Sequence, residues 1–249
     1  MEIIWSPSPN FSSRKGRAPI AIVNHITAGN FPGCLSWMQN PKAQASANYL
    51  VIKAGKIYQL VKDEDAAWHA GIVNKPNWPL YDGTNPNRYT IGIEHENLGG
   101  GQLTEAQYQA TLWLHKQLIE KYKIPADADH IIGHYRIDSV NRPNCPGPSF
   151  PWARLFADLS QQSVNIAVGD KVAQGIIVNS RSYAPVRAIM ALLGLQYGWD
   201  ANTNSVIIGA NKIPVVIQNG NGYAQVNELA TAIGRQVGWD ANTRTATII

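Results

Sequence analysis

The sequence predicts an α/β protein: a mixed central β-sheet flanked by helices, followed by a second, smaller α+β domain made of two repeats. Three observations carry this expectation. Short β-rich runs in the first part of the chain end in polar residues, a capped amphipathic helix lies among them, and one segment of the last third occurs twice. All six His, both Cys and most of the Trp and Pro precede the repeated part. The boundaries read as a first domain at 1–158, a polar linker or first strand at 159–167 (LSQQSVNIA), and a second domain at 168–249.

The first element is the run Ile20–Thr27 (IAIVNHIT), a strand whose polar end follows its apolar body. A short helix is expected from Pro32 to about Met38. Ala47–Ile52 and Lys56–Val61 read as a hairpin around Ala54-Gly55, and Tyr89–Glu96 as another strand. The clearest helix starts at an N-cap Thr104, with Gln107 completing a capping box, and runs to about Tyr122. Tyr108, Leu112, His115, Ile119 and Tyr122 form its stripe. His130–His134 (HIIGH) is a last short strand.

In the second part, Gly198-Trp199-Asp200-Ala201-Asn202-Thr203 recurs 40 residues later as Gly238-Trp239-Asp240-Ala241-Asn242-Thr243. In each copy a helical spacing (Val186/Ile189/Leu193, Val226/Leu229/Ile233) is stopped by Gly194 or Gly234. A strand at Leu195–Trp199 or Arg235–Trp239, a turn at Asp-Ala-Asn-Thr and a further strand follow. This part has no Cys and no His, and so no metal or nucleophile chemistry of that kind.

With 45% hydrophobic and 15% charged residues in 249, the chain has ample material for packed cores, which excludes disorder as its main state. The net charge of +4 and pI near 9.0 favour an anionic surface such as a bacterial wall. No run of five Lys/Arg occurs, so nucleic acid is not an expected partner. No stretch approaches the ~20 apolar residues of a membrane span, so insertion is not expected. The start, MEIIWSPSPNFSSRKGR, lacks a basic segment followed by an apolar one. Synthesis in the cytoplasm is the expectation, with a separate route of release for any action on a wall. Two cysteines are too few for a disulfide framework.

The histidines divide by position. His115 lies on the apolar stripe of the long helix and reads as packed; His95, between Glu94 and Glu96, faces away from both on a strand. His130 and His134 lie about 13 Å apart along a strand, too far to share a metal. His134 is followed by a Pro/Gly/Asn-rich loop, Tyr135–Pro148, that can return Cys145 to its side, and His25 ends a strand at a turn. A His–His–Cys set suits zinc, and three protein ligands leave a fourth position open, as catalytic sites do. The spacing alone is not diagnostic.

Six stretches, in order, resemble the zinc amidases that include amidase-type phage lysozymes, the bacterial recycling amidase and animal peptidoglycan recognition proteins. They are Ile22–Thr27 (IVNHIT), Ala45–Ile52 (ASANYLVI), Ala67–Gly71 (AWHAG), Thr90–Glu94 (TIGIE), Ile131–His134 (IIGH) and Cys145–Pro148 (CPGP). The resemblance implies Zn2+ held by His25, His134 and Cys145, with Glu94 as general base. It implies hydrolysis of the peptidoglycan amide between the muramic acid lactyl group and L-alanine. Many relatives place Lys or Thr two residues before the third ligand; here Pro143 stands there, with no side-chain or N–H donor, so Arg142 becomes the candidate for oxyanion support. Asn48 stands where some relatives have a His, so it is expected to line the groove without acid/base work. His69 and Trp68 are expected to border the substrate groove, with Trp78 either there or in the core. Glu96 is a possible substitute for Glu94, and Cys34 is expected as a free thiol.

The repeats resemble the domain at the N-terminus of copper amine oxidases, also found attached to bacterial wall enzymes. Lacking His, they are expected to bind a cell-wall polymer and not copper. The whole arrangement is that expected of a phage endolysin released through a holin. The alternatives are a peptidoglycan-binding protein without activity, which the presence of Cys145 disfavours, and a cytoplasmic amidase that recycles muropeptides. A glycosidase needs carboxylates straddling a bond, which Glu94 and Glu96 on one strand do not do.

Overall fold

The computed structural model describes residues 1–160, 163–178, 180–218 and 220–249. The chain divides into two compact units, Met1–Ser160 and Gln161–Ile249.

The first unit contains β1 (Ile3–Trp5), β2 (Phe11–Ser13), β3 (Ala21–Ile26), α1 (Gly33–Gln39), β4 (Tyr49–Val51), β5 (Ile57–Gln59), β6 (Asp65–Ala67), β7 (Thr90–His95), α2 (Glu105–Tyr122), β8 (Ile131–Gly133) and α3 (Trp152–Ser160). Six strands form one mixed sheet in the order β1-β5-β4-β7-β3-β8, in which only the β4–β5 pair is antiparallel. β2 and β6 make a separate two-stranded ribbon.

The central strands are buried on both faces, which is why β3 reads as a continuous apolar run. One face, with Ile22, Ile91, Ile93, Tyr49 and Val51, packs on Ala110, Leu114 and Leu118 of α2. The alternate residues Leu50 and Ile52 meet Cys34 and Met38 of α1 on the opposite face. Each such fully buried aliphatic side chain contributes roughly 1.5–3 kcal/mol. The cap of α2 forms as expected: Thr104 accepts from the Gln107 backbone N–H at 3.1 Å. Gln107 itself turns inward, however, and its amide donates to the carbonyls of Val51 and Glu96.

The second unit contains β9 (Ser163–Val168), β10 (Lys171–Val178), β11 (Arg181–Pro185), α4 (Val186–Leu193), β12 (Gly198–Asp200), β13 (Ser205–Ile208), β14 (Asn211–Gln218), β15 (Asn221–Gln225), α5 (Val226–Ala232), β16 (Val237–Asp240) and β17 (Thr245–Ile248). Of the two readings for 159–167, a strand is what forms over its second half, as β9, while its first residues end α3; Gln161 and Gln162 lie outside the described residues. Gly194 caps α4 in the left-handed conformation, φ 66°, which glycine adopts at no steric cost. The two copies meet at the pair Ala184↔Ala224, equivalent residues of the repeat, on antiparallel strands β11 and β15. Each copy's terminal hairpin then adds to a strand outside its own copy: β13 pairs with β14, and β17 pairs with β9.

Candidate active site

Parallel pairing places the chemistry. β3, β7 and β8 run side by side, with His25 opposite Glu94 and Asn24 opposite Gly133. His25, Glu94 and His134 therefore sit together at the carboxyl ends of adjacent strands, where open parallel sheets form their sites. The loop after His134 folds back, and the Tyr135 N–H donates to the Cys145 carbonyl at 3.2 Å. Gly147 of that loop lies against Gly100 so closely that a Cβ on Gly147 would stand 2.5 Å from the Gly100 Cα. That approach, at φ +109° for Gly147, requires glycine on both sides.

His25 Nδ1 lies 3.0 Å from His134 Nδ1 and 4.0 Å from Cys145 Sγ, and the three ligand atoms fall within 4.8 Å of one another. A tetrahedral zinc site with bonds of about 2.0–2.3 Å holds its donors roughly 3.3–3.8 Å apart. The set suits such an ion in donor type, and the separations of 3.0 and 4.0 Å lie on either side of that range. His134 Nε2 donates to the Ala70 carbonyl at 2.9 Å, so its Nδ1 carries no proton and faces the centre as a bare donor atom. Burial holds both imidazoles below the ordinary His range, in the neutral form a metal requires. In the metal-free protein, burial and the Glu94 carboxylate push the Cys145 thiol up to about 12. Both Cys34 and Cys145 are free thiols.

Glu94 opens onto the same groove. Its Oε2 is sealed from solvent and has no hydrogen-bond partner. Burial raises its carboxyl to about 8, with the Arg142 charge pulling the other way. The groove, about 1280 Å³, is lined further by Trp37, Trp68, His69, Ile72, Arg142 and Cys34. Arg142 is exposed at its rim, with Nη1 3.3 Å from the Asn141 carbonyl.

The remaining expected residues fall in different places. Trp68 lines the groove. Asn48 does not: it is fully buried, its Oδ1 accepting from the Gly92 N–H and its amide donating to the Lys62 and Asp65 carbonyls. It ties β4 to β7 because it enters the strand with its side chain inward. His69 reaches the groove wall, yet both its ring nitrogens are engaged by protein: Nδ1 lies 3.0 Å from His25 Nε2, and Nε2 lies 3.0 Å from Thr90 Oγ1. Its ring fills the space over Gly92, where a Cβ would overlap it. Glu96 is spent on the backbone N–H groups of Phe31 and Lys53, which leaves it neither solvated nor free to act as a base. Trp78 is core, stacked on Tyr89. His95 does face away from Glu94, donating to the His25 carbonyl beside Phe150, and His115 is packed, bonded to the Thr111 carbonyl.

Residues 15–148, more than half of the chain, match the family model described as N-acetylmuramoyl-L-alanine amidase. The chain belongs to that family. As an N-acetylmuramoyl-L-alanine amidase it is 30% identical over 176 residues to N-acetylmuramoyl-L-alanine amidase A of Achromobacter lyticus, covering 62% of this chain and 92% of that protein. It is 37% identical over 119 residues to the 1,6-anhydro-N-acetylmuramyl-L-alanine amidase AmpD of Enterobacter cloacae, covering 47% of this chain and 59% of that one. A solved structure of an AmpD derivative is 31% identical with a TM-score of 0.49, over 63% of this chain and 94% of that one. Residues 164–230 match the model for the copper amine oxidase N-terminal domain. Among the described residues, no helix of the amidase is long and apolar enough to cross a membrane.

The sequence had no means of revealing two features of this site. The His25–His69–Thr90 contact joins three separate segments, and the Ala70 carbonyl that orients His134 is backbone, visible only through the AWHAG stretch around it.

Proposed function

We propose that this amidase is zinc-dependent and cuts the peptidoglycan amide between the muramic acid lactyl group and L-alanine. The observation that carries the reading is the convergence of His25, His134 and Cys145 beside a half-buried Glu94, whose sealed Oε2 has no hydrogen-bond partner, in one groove. Zinc, when bound by those three residues, supplies a Lewis acid that polarises the scissile carbonyl and acidifies water. Glu94 takes the proton from the attacking water and hands it to the departing L-alanine nitrogen. Burial raises the carboxyl to about 8 even with the Arg142 charge pulling it down, so it holds a proton at neutral pH; a cation at the cluster would bring it back toward the pH at which it both accepts and returns one. Arg142, at the rim, stabilises the developing oxyanion. Trp68 offers a face for the substrate along the groove.

The second unit anchors the enzyme on a cell-wall polymer. The repeat sets out Trp199 and Trp239 at 47% and 53% exposure, aromatic faces of the kind that saccharide contact uses. With this anchor, the protein acts as an endolysin on intact wall after release from the cytoplasm. A second reading, an amidase for soluble anhydro-muropeptides, is favoured by the identity to proteins named for that activity. The two separate by substrate: turnover of intact, cross-linked sacculi at a rate at least comparable to that of a soluble anhydro-muropeptide supports the endolysin. Turnover of the soluble substrate alone removes it.

A further inference from the structure

His134, His25, His69, Thr90 and Pro86 form one unbroken chain of hydrogen-bonding atoms. It runs from His134 Nδ1 to His25 Nδ1 (3.0 Å), from His25 Nε2 to His69 Nδ1 (3.0 Å), from His69 Nε2 to Thr90 Oγ1 (3.0 Å) and from Thr90 Oγ1 to the Pro86 carbonyl (2.8 Å). His25, His69 and Thr90 are buried. One end is fixed, since His134 must donate from Nε2 to the Ala70 carbonyl. A neutral imidazole has one donor and one acceptor, so the chain has two self-consistent proton arrangements.

In the first, Thr90 donates to His69 Nε2, His69 donates from Nδ1 to His25 Nε2, and His25 donates from Nδ1 to His134 Nδ1. Every ring nitrogen is then satisfied, and the atom of His25 that a metal needs is closed by its own proton. In the second, Thr90 donates to the Pro86 carbonyl, His69 donates from Nε2 to Thr90, and His25 donates from Nε2 to His69. The Nδ1 atoms of His25 and His134 are then both bare, and two lone pairs face each other at 3.0 Å. Only a cation makes that arrangement favourable.

The geometry points to a tautomer relay: His69 and Thr90 hold the closed arrangement in the metal-free protein and switch to the open one when a metal is taken up. His69 is thus a positioning residue, acting through His25, and the inference rests on the zinc reading above. In the switch the His69 Nδ1 proton crosses to His25 Nε2, the His25 Nδ1 proton leaves to water in the groove, and a proton from water replaces it at His69 Nε2 by way of Thr90 Oγ1, so each ring carries one N–H before and after and Thr90 keeps its own. Gly92 is part of the device, because any side chain there would displace the His69 ring.

Nitrogen-15 NMR of the histidine rings tests this directly, on the full chain with zinc removed and then restored. The relay predicts that His25 and His69 both carry the proton on Nδ1 without metal and both on Nε2 with it, while His134 keeps its Nε2 proton throughout. Zinc affinity, measured by competition with a chromophoric chelator, falls roughly 10–100-fold in His69→Leu, which can neither donate to nor accept from His25. His69→Asn, whose amide can do either, recovers most of it. Zinc uptake with the His69 tautomer unchanged, or His69→Leu binding as tightly as the parent, overturns the relay and leaves the zinc reading standing. No uptake at His25, His134 and Cys145 in the parent overturns both.

Discussion

Glu94→Gln should stabilise the metal-free protein while removing its activity, and the size of the gain should depend on pH. The Glu94 carboxyl has an ordinary value of 4.5 and is raised by burial to about 8 in the fold. Between those values the folded chain binds more protons than the unfolded one, so the stability of the parent falls as pH rises. Each pH unit within the window costs about 1.4 kcal/mol. The penalty is near zero below pH 4.5, on the order of 3 kcal/mol at pH 7, and approaches about 5 kcal/mol above pH 8. Glutamine does not titrate, so the variant lacks this slope; any cost of its own amide is a constant offset. The buried histidines titrate equally in both proteins and cancel in the difference. The assay is amide hydrogen exchange on the central strands, at Val23 and Ile93, with chelator present, from pH 5 to pH 8. Those amides report the first unit alone. The expected result is a stability difference that widens in favour of the variant by about 3–4 kcal/mol over that range, while hydrolysis falls by roughly 10²–10⁴-fold. Parallel stability curves would falsify the claim that Glu94 is strained by desolvation.

Arg142→Ala should lower kcat by roughly 10²–10³-fold with little change in KM, and Arg142→Lys should recover part of it, as steady-state kinetics on a soluble muropeptide would show. An unchanged kcat removes Arg142 from the chemistry. Trp68→Ala should raise KM about tenfold, a loss on the order of 1.4 kcal/mol, with kcat retained; a fall in kcat alone would mean that Trp68 positions the reacting groups instead. Replacing Trp199 and Trp239 by Ala together should reduce sedimentation of the protein with purified walls at least tenfold and leave turnover of a soluble muropeptide intact. Undiminished sedimentation places wall binding elsewhere.

The spacing of His25, His134 and Cys145 is not diagnostic by itself, and it is the resemblance of the stretches around them that singles out the three, which the structure brings together. Glu94 is legible only through the resemblance of the TIGIE stretch, since a carboxylate at a strand end reads equally well as an ion-pair partner. Asn48 was misread as lining the groove because its neighbour Tyr49 fixes only the phase of β4, whereas its burial depends on the Gly92 N–H of another strand. His69 lines the groove, but its hydrogen-bonding partners lie 44 and 21 positions away, a separation no periodicity encodes. β1 and β2 have only three residues each, with largely exposed side chains, so neither alternation nor an apolar run marks them. In the repeats, the helices and turns were legible from spacing. The strand starts were not: β12 begins at Gly198 and β16 at Val237, two to three residues later than β-propensity suggests, because pairing with β13 and β17 sets where the ladder begins.

The most direct test of the account is digestion of purified peptidoglycan by the full chain, with and without a zinc chelator, followed by mass spectrometry of the new ends. The account predicts free L-alanine amino groups on peptides released from intact glycan strands, lost with the chelator and restored by added zinc. New reducing ends on the glycan, or amide cleavage indifferent to the chelator, would contradict it.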